Sequence, residues 1–321
     1  MVDNKIKVLS IAGPTASGKT ALSVSLAMQY DGEIVSADSM QIYKGMNIAT
    51  AKPSLEERCN IPHHLMDFLE VDEIYSVARY INDASFAIKD IFARGKLPIL
   101  VGGTGLYIDS LLNGLTFTEG EVDLELRKTL MQQLDDKGLD YLLDVLASVD
   151  PKSAEKMKLE RNPKRIIRAL EIFYTTGITM TEQNLRSKST ESIFNPVKIA
   201  LNFRNREKLY ERINLRVDLM LEMGLLKEAE DYFKMNQGDT SKQAIGYKEL
   251  KPYFDNEKTL DECIETLKRS TRRYAKRQLT WFSRDPDIRW FFVDDYSSSE
   301  ELLTSVRSYL NTKGFDKNER T

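Results

Sequence analysis

Cysteine, histidine and membrane-length apolar stretches are scarce or missing in this sequence, and each shortage excludes a class of protein. The two cysteines, Cys59 and Cys263, are too few for a disulfide framework and lack metal-ligand spacing. His63 and His64 are the only histidines, and adjacent side chains on a strand face opposite ways, so we expect a structural role for them. No apolar stretch approaches the roughly 20 residues that cross a bilayer, and no secretory signal precedes the first predicted strand. We therefore expect a cytoplasmic protein that makes no membrane contact.

A surplus of positive charge is missing as well. Lysine and arginine number 46 against 49 aspartates and glutamates, which gives a formal net charge of −3. General affinity for nucleic acid is therefore not expected, and any basic site must be local. Hydrophobic residues at 41% and charged residues at 30% are typical of a globular protein, and 321 residues suffice for one large or two ordinary domains.

One octapeptide, GPTASGKT, fits the G-x-x-x-x-G-K-[ST] phosphate-loop pattern. It consists of Gly13, Pro14, Thr15, Ala16, Ser17, Gly18, Lys19 and Thr20. An apolar run, Val8 to Ile11, precedes it, and a predicted helix follows at Ala21. The glycines let backbone N–H groups point at a phosphate, Lys19 adds a mobile charge, and the Thr20 hydroxyl can reach magnesium. We expect a bound di- or triphosphate; a plain strand–helix turn is the alternative, which motif and context disfavour.

Two further predicted strands end in segments with chemical character. The strand over residues 33–36 leads into Asp38, and Pro98 to Val101 leads into Gly102-Gly103-Thr104. Ligands of open α/β sheets bind outside the carboxyl ends of strands, so we expect the Asp38 side chain near the phosphate loop. The alternative is that Asp38 caps a turn. Because Val101 is followed by glycine, the strand-end aspartate that holds magnesium in many nucleotide hydrolases is missing there.

The order of these elements predicts an α/β fold: a P-loop NTPase-like parallel sheet flanked by helices, with an all-helical insertion domain. We expect residues 1–118 to form the first part of the core and residues 119–196 the insertion. Residues 197–321 then return to the core with a basic helix, a last strand over residues 287–293 and a closing helix before a frayed end.

The predicted insertion is charged and helical, comparable to a lid. The basic residues on the early turns of its best-defined helix are Lys164, Arg165 and Arg168. A loop or hinge is expected over residues 179–195, where serine, threonine and asparagine crowd, before a strand from Val197. An ordinary solvated face is the alternative for such charges. In the helix that follows, Arg212 and Arg216 lie four residues apart and can clamp an anion jointly.

Positive charge is concentrated in one long predicted helix over residues 260–282. No acidic residue interrupts residues 268–284, whose basic residues are Lys268, Arg269, Arg272, Arg273, Lys276, Arg277 and Arg284. Tyr274, Gln278 and Trp281 are interleaved and can stack on or hydrogen-bond to nucleotides. A solvated face is the alternative, although such faces usually mix signs.

Together these stretches resemble the tRNA dimethylallyltransferases, or tRNA isopentenyltransferases, of bacterial type. The matching segments, in family order, are residues 13–20, 38–43, 50–53, 62–65, 102–107, 168–171, 216–218, 243–249 and 274–282. They cover most of the chain. Ala49 stands where a glycine is common, and Ser283 stands where an arginine is common, so that one basic contact of the family is missing unless Arg284 replaces it.

The resemblance implies transfer of a dimethylallyl group from its diphosphate to the exocyclic N6 amine of the adenosine 3′-adjacent to the anticodon, with release of pyrophosphate. Asp38 would be the general base, and Thr104 would position the acceptor base or the diphosphate. Lys19 and Arg216 would stabilise the departing pyrophosphate, with Mg²⁺ on Thr20.

The implied partners are dimethylallyl diphosphate and the anticodon stem-loop of tRNA, and we expect a monomer. The candidate tRNA contacts are Asp38, Ser39, Met40, Gln41, Arg127, Lys164, Arg165, Arg168, Gly246, Tyr247, Lys248, Arg273, Lys276, Arg277, Gln278 and Trp281. The insertion and the basic helix are suited to hold the anticodon loop from two sides.

Two other classes of function share parts of this pattern. A P-loop small-molecule or nucleotide kinase has a similar core and lid, but it leaves the basic helix without a role. A non-catalytic, nucleotide-switched RNA-binding protein has no need of Asp38. A free adenine nucleotide as acceptor is disfavoured by the basic helix.

Overall fold

A parallel sheet forms the centre of the larger part of the protein. The computed structural model describes residues 5–115, 123–188 and 192–315. The strands within them are β1 Ile6–Ala12, β2 Gly32–Ala37, β3 His63–His64, β4 Leu97–Gly102, β5 Phe194–Asn202 and β6 Arg289–Phe292. They lie in the order β3-β2-β4-β1-β5-β6, and each neighbouring pair is parallel. The predicted α/β class with a P-loop-like parallel sheet is confirmed.

Helices flank the sheet and make up the rest of the regular structure. They are α1 Lys19–Tyr30, α2 Leu55–Arg58, α3 Val77–Ala93, α4 Gly105–Leu112, α5 Leu124–Val149, α6 Pro151–Glu160, α7 Pro163–Thr176, α8 Met180–Lys188, α9 Arg206–Glu222, α10 Leu225–Phe233, α11 Tyr247–Phe254, α12 Leu260–Phe282 and α13 Ser299–Thr312. Residues 5–112 and 193–315 belong to the unit that contains the sheet, and residues 113–192 belong to a second compact unit with α5 to α8. Across the described ranges, no helix combines the length and apolar character that a membrane crossing requires.

The central strand β1 is buried on both faces and contributes to two hydrophobic cores. Val8 and Ala12 pack into the core that α3, α4 and α12 share, whereas Leu9 and Ile11 pack into the core of α1 and α13. Full burial of one aliphatic side chain stabilises a fold by roughly 1.5–3 kcal/mol. The strand that carries the phosphate loop is therefore fixed from both sides.

Several helix ends follow directly from the sequence. Ser76 begins α3, with its hydroxyl accepting the N–H of Arg79. Asn162 caps α7, Pro163 occupies its first turn, and Gly177 ends it in the left-handed conformation that favours glycine. These predicted boundaries are confirmed.

Three predicted boundaries differ from the structure. The loop expected over residues 179–195 contains α8, which Asp150 anchors by accepting hydrogen bonds from the N–H and hydroxyl of Thr181. Strand β5 begins at Phe194 instead of Val197, because it pairs with β1 along its whole length. The last strand, β6, spans Arg289–Phe292 and is therefore shorter than the predicted residues 287–293, because only these four residues pair with β5. The second unit spans residues 113–192, and the predicted limit at 118/119 lies outside the described residues, as does most of the predicted frayed end.

A buried carboxylate holds the amino end of the sheet. Glu33 on β2 is 2% exposed and accepts hydrogen bonds from both terminal nitrogens of Arg94 and from His64 Nε2, the latter at 2.8 Å. Lys96 lies 3.1 Å from the same carboxylate. These partners, chiefly Arg94, lower the pKa of Glu33 from 4.5 to about 2. His64 therefore belongs to a charge cluster, while His63 bonds to the carbonyl of Ile61.

We expect Glu33→Gln to lower the free energy of unfolding by about 2 kcal/mol at pH 7. Because the native pKa lies below the unfolded one, the carboxylate stabilises the fold above pH 4.5, and this contribution is lost as the pH falls towards 2. Urea unfolding at pH 7, 4.5 and 3 should show the difference from wild type shrinking. Glu70→Gln is the control, since Glu70 pairs with Lys44 on the surface. A loss that is independent of pH would contradict the prediction.

Candidate active site at the carboxyl ends of the strands

The carboxyl ends of β1, β2 and β4 open onto one cavity of about 240 Å³. Phosphate-loop residues, residues 38–41 and residues 102–103 line one side of it. Side chains of α9 and α12 and residues 243–246 line it as well. In the sheet, β2 and β4 lie on one side of β1, and β5 and β6 lie on its other side. The chain therefore builds the sheet in one direction from β1 and later, after β4, continues it in the opposite direction. The cavity thus lies where the strand order reverses, the usual ligand position in such sheets.

The phosphate loop has the geometry of an anion site. Gly18, at φ 95°, begins α1, and within the described residues no side chain caps that helix terminus, so its N–H groups remain for a ligand. Gly13, at φ 138°, is required because a Cβ there would lie 2.5 Å from the carbonyl oxygen of Leu201. Lys19 Nζ donates to the Pro14 carbonyl at 2.7 Å, which folds the lysine over its own loop. Thr20 also lines the cavity.

Two cations share this cavity at the cost of desolvation. Burial and, to a smaller extent, repulsion from the nearby Arg216 lower the pKa of Lys19 from 10.5 to about 7, and Asp38 partly opposes this shift. Burial also lowers the pKa of Arg216. A multivalent anion bound between these side chains would relieve their repulsion and restore the charged form of Lys19. The cavity is therefore suited to a polyphosphate group.

The Asp38 carboxylate caps the turn after β2, the role that sequence analysis gave as the alternative to a place in the active site. Its Oδ1 accepts the N–H groups of Met40 at 2.9 Å and Gln41 at 3.3 Å. In the part of the chain that the structure describes, its second oxygen Oδ2 takes part in no hydrogen bond or ion pair. Asp38 also lines the cavity. One carboxylate thus shapes the turn after β2 with one oxygen and leaves the other for a ligand.

Thr104 ties the turn after β4 to the turn after β2. Its N–H donates to the Ala37 carbonyl, and its hydroxyl accepts the N–H of Ser39 at 3.1 Å. The half-buried ring of Tyr274 lies beside both Asp38 and Thr104, and burial raises the pKa of its hydroxyl. The geometry shown for Thr104 is thus support for the segment that carries Asp38, and its contact with a substrate stays a prediction.

The candidate tRNA contacts of the sheet unit differ in their surroundings. Those that line the cavity are Asp38, Ser39, Met40, Gln41, Gly246, Lys248, Arg277 and Gln278. Arg273 and Lys276 are exposed on α12. Trp281 is half-buried and donates to Asp109 Oδ2 at 2.6 Å, while the Arg284 guanidinium lies 5.9 Å from its ring. Tyr247 is 1% exposed, and its hydroxyl donates to Glu228. It therefore supports the loop at residues 47–49 that Glu228 holds.

In the second unit, glutamates engage the candidate arginines. Arg127 and Arg168 lie on α5 and α7 and both reach the buried carboxylate of Glu171, at 3.5 and 3.3 Å. Arg165 pairs with Glu160, and Lys164 is exposed. The mixed signs agree with the solvated-face alternative for part of this surface. Their contact with tRNA stays a prediction.

The two arginines expected to clamp an anion jointly have different surroundings, and their joint contact with an anion stays a prediction. Arg216 lines the cavity, whereas Arg212 Nε donates to the Ala16 carbonyl at 3.0 Å and its guanidinium lies over the Phe203 ring. Arg212 therefore braces the phosphate loop from outside. The four-residue spacing placed the two on one side of α9 but could not tell which of them reaches the cavity.

Glu228 on α10 is a structural residue of the site that the sequence did not reveal. Its carboxylate accepts the N–H groups of Asn47, Ile48 and Ala49 as well as the Tyr247 hydroxyl. It thereby fixes the loop whose residues 49–51 line the cavity. No motif marks such a long-range contact, and only the three-dimensional structure shows it.

Side-chain clusters hold the metal ions of many proteins. Across the described part of the chain, no group of three or more His, Cys, Asp or Glu residues is arranged to hold a metal ion. Thr20 offers a hydroxyl at the cavity, which suits a magnesium ion whose other ligands are phosphate oxygens and water.

Fold and cavity together place the protein among the P-loop α/β proteins, which hold a phosphate-bearing ligand at the end of a central strand. Within that class the chain belongs to the IPP transferase family, which it matches over residues 41–285. The resemblance noted from the sequence is thereby confirmed.

Individual relatives match over nearly the whole chain. A tRNA dimethylallyltransferase of Acetivibrio thermocellus is 47% identical over 309 residues, covering 96% of this chain and 98% of the relative. The full-length tRNA isopentenylpyrophosphate transferase of Bacillus halodurans superposes with a TM-score of 0.71 at 41% identity, covering 98% of both chains. A eukaryotic dimethylallyltransferase captured acting on tRNA superposes with a TM-score of 0.79 at 32% identity, covering 95% of this chain and 80% of that one.

We expect inorganic pyrophosphate to raise the pKa of Lys19 when it binds, so that the lysine takes up a fraction of a proton at pH 7.5. Calorimetry in buffers of different ionisation enthalpy measures the net proton exchange. Pyrophosphate titrates too, so the comparison is with Lys19→Met, which should take up fewer protons than wild type. Equal proton exchange in the two proteins would contradict the prediction.

Proposed function

We propose that the protein transfers a dimethylallyl group from dimethylallyl diphosphate to the N6 amine of the adenosine 3′-adjacent to the anticodon in tRNA. One observation carries the proposal: the phosphate loop, the half-buried cations Lys19 and Arg216 and the Asp38 carboxylate line a single cavity. The activities for which the relatives are named support the same reaction. Because tRNA is the acceptor, we place the protein in the cytoplasm, and we propose that it acts as a monomer.

The diphosphate lies against the phosphate loop. The N–H groups at the start of α1, together with Lys19 and Arg216, stabilise the charge that grows on the leaving pyrophosphate. Magnesium on the Thr20 hydroxyl, when bound, neutralises part of the same charge. The wall formed by Val217, Met220 and Leu267 offers an apolar surface for the five-carbon group.

The adenosine amine approaches from the side of Asp38. Its nitrogen forms a bond to C1 of the dimethylallyl group while the bond from C1 to the diphosphate oxygen breaks, and that electron pair leaves with pyrophosphate. Asp38 takes the proton that the amine loses. The turn bonds to Met40 and Gln41 hold the carboxylate in place for this step.

The acceptor base must leave the stacked anticodon loop to reach the cavity, which costs a few kcal/mol. Phosphate contacts by exposed basic residues of α12 offset this cost. Arg277 lies at the rim of the cavity, and Arg273 and Lys276 are exposed on the same helix. A small-molecule kinase has no use for this basic surface.

We expect Asp38→Asn to lower the rate of prenyl transfer about 10²–10⁴-fold, because a positioned base is lost while the amide oxygen still accepts the turn hydrogen bonds. Labelled dimethylallyl diphosphate with unmodified tRNA under single-turnover conditions measures the rate. Affinity for tRNA should be unchanged. Asp38→Ala, which removes the turn bonds as well, separates the two roles.

A fully active Asp38→Asn variant would remove Asp38 as the base. A parallel incubation with labelled ATP tests the kinase alternative. Phosphate transfer from ATP, with no prenylated adenosine from dimethylallyl diphosphate, would overturn the proposed function.

We expect charge reversal at Arg273 and Arg277 to weaken tRNA binding and to reduce its dependence on salt, because phosphate contacts are lost. Pyrophosphate affinity should be unaffected by Arg273→Glu. Filter binding or fluorescence anisotropy at several salt concentrations measures the slope. Arg307→Glu, an exposed arginine on α13 in the opposite core layer, is the control. An unchanged tRNA affinity would identify the basic surface of α12 as a merely solvated face.

A further inference from the structure

Gln278, in the last third of α12, joins both glycine-rich loops of the site. Its Oε1 accepts the N–H of Thr15 in the phosphate loop at 2.9 Å, and its Nε2 donates to the carbonyl of Gly103 after β4 at 3.0 Å. The side chain is 5% exposed. Both ends of one buried amide are thus committed to backbone groups of two different loops.

The surroundings are fitted to this side chain. A Cβ on Gly103 would lie 2.0 Å from Gln278 Nε2, so only glycine allows the amide to reach its partner. One turn further along α12, Trp281 covers Gly105 so closely that a Cβ there would lie 2.2 Å from the ring, and it bonds to Asp109. This face of α12 is therefore packed tightly against the segment after β4, and Gln278 also joins it to the phosphate loop by a hydrogen bond.

The same helix carries exposed basic residues on its other sides. Arg277 directly precedes Gln278, and Arg273 and Lys276 lie within the two preceding turns. A force that shifts α12 when these residues bind a polyanion must therefore act on the Thr15 peptide through Gln278. Breaking the two buried hydrogen bonds would leave buried polar groups without partners, which makes the link between α12 and the two loops stiff.

We propose that Gln278 is a positioning residue that sets the anion-binding conformation of the phosphate loop and couples diphosphate binding to RNA binding through α12. The RNA half of this inference rests on the proposed function, whereas the phosphate-loop half does not. Sequence analysis predicts a direct tRNA contact for Gln278. The bonds shown here give its amide a different role.

Gln278→Met is the first test, because it keeps the length of the side chain and removes both hydrogen bonds. We expect its affinity for inorganic pyrophosphate, measured by calorimetry without RNA, to fall about tenfold. Its affinity for an unmodified anticodon stem-loop, without pyrophosphate, should stay within about twofold of wild type. In wild type, saturating pyrophosphate should tighten stem-loop binding about fivefold, and this factor should fall to one in the variant.

Two further variants keep the test decisive. Gln237→Met is the matched control, since it also removes a glutamine bond to a backbone carbonyl, that of Tyr232, but outside the cavity. It should leave pyrophosphate affinity and coupling unchanged. Gln278→Glu, which can still accept from Thr15 but cannot donate to Gly103 when ionised, also loses the coupling and replaces Gln278→Met if that variant does not fold.

Wild-type pyrophosphate affinity and coupling in Gln278→Met, or in its replacement, would overturn the inference. A loss of stem-loop affinity with pyrophosphate affinity intact would also overturn it, in favour of direct RNA contact. Failure of the wild-type protein to prenylate tRNA would overturn the proposed function instead, and pyrophosphate binding by the variants would still test the role of Gln278 in the phosphate loop.

Discussion

The desolvation of two neighbouring cations is the constraint on which this site depends. Burial lowers the pKa of Lys19 and that of Arg216, and the repulsion of Arg216 adds to the shift at Lys19. Asp38 offsets only part of this cost. A ligand that carries several negative charges relieves repulsion and desolvation at once, whereas a singly charged ligand relieves less. The core around β1, buried on both faces, holds the loop firmly enough to sustain such strain.

The carboxylate side of the cavity is built on a different principle. Among the described residues, no cation lies within ion-pair distance of Asp38; backbone N–H groups of the turn after β2 hold its carboxylate, and Thr104 fixes the neighbouring Ser39. Its position is therefore set by the sheet and not by the diphosphate. In the proposed reaction, anion binding belongs to the end of β1 and proton acceptance to the end of β2, which Thr104 after β4 supports. The pairing of these strands determines the distance between the two functions.

Features encoded in short segments could be predicted from the sequence, and long-range contacts could not. The phosphate loop, the helix caps at Ser76 and Asn162 and the buried strands depend on neighbours within a few residues. The start of β5 was missed because pairing with β1 extends the strand through Pro196, and the hold of Glu228 on the loop at Ile48 joins residues 180 positions apart. Of Arg212 and Arg216, only Arg216 lines the cavity. The four-residue spacing predicts that both lie on one face of the helix, but it does not predict how far each side chain reaches into a cavity.

Helix α12 shows why composition alone was ambiguous about RNA binding. Aromatic and amide residues interleaved with arginines suit a surface on which bases stack, yet the same spacing suits a helix with one buried face. The structure gives Trp281 and Gln278 to the buried face and leaves Arg273, Lys276 and Arg277 exposed. Because the buried face contacts both glycine-rich loops, the proposed coupling needs no connection other than Gln278 between a polyanion on the exposed face and the phosphate loop. In the proposed function, a chain of net negative charge thus presents a local basic surface on a helix that is anchored beside the cavity.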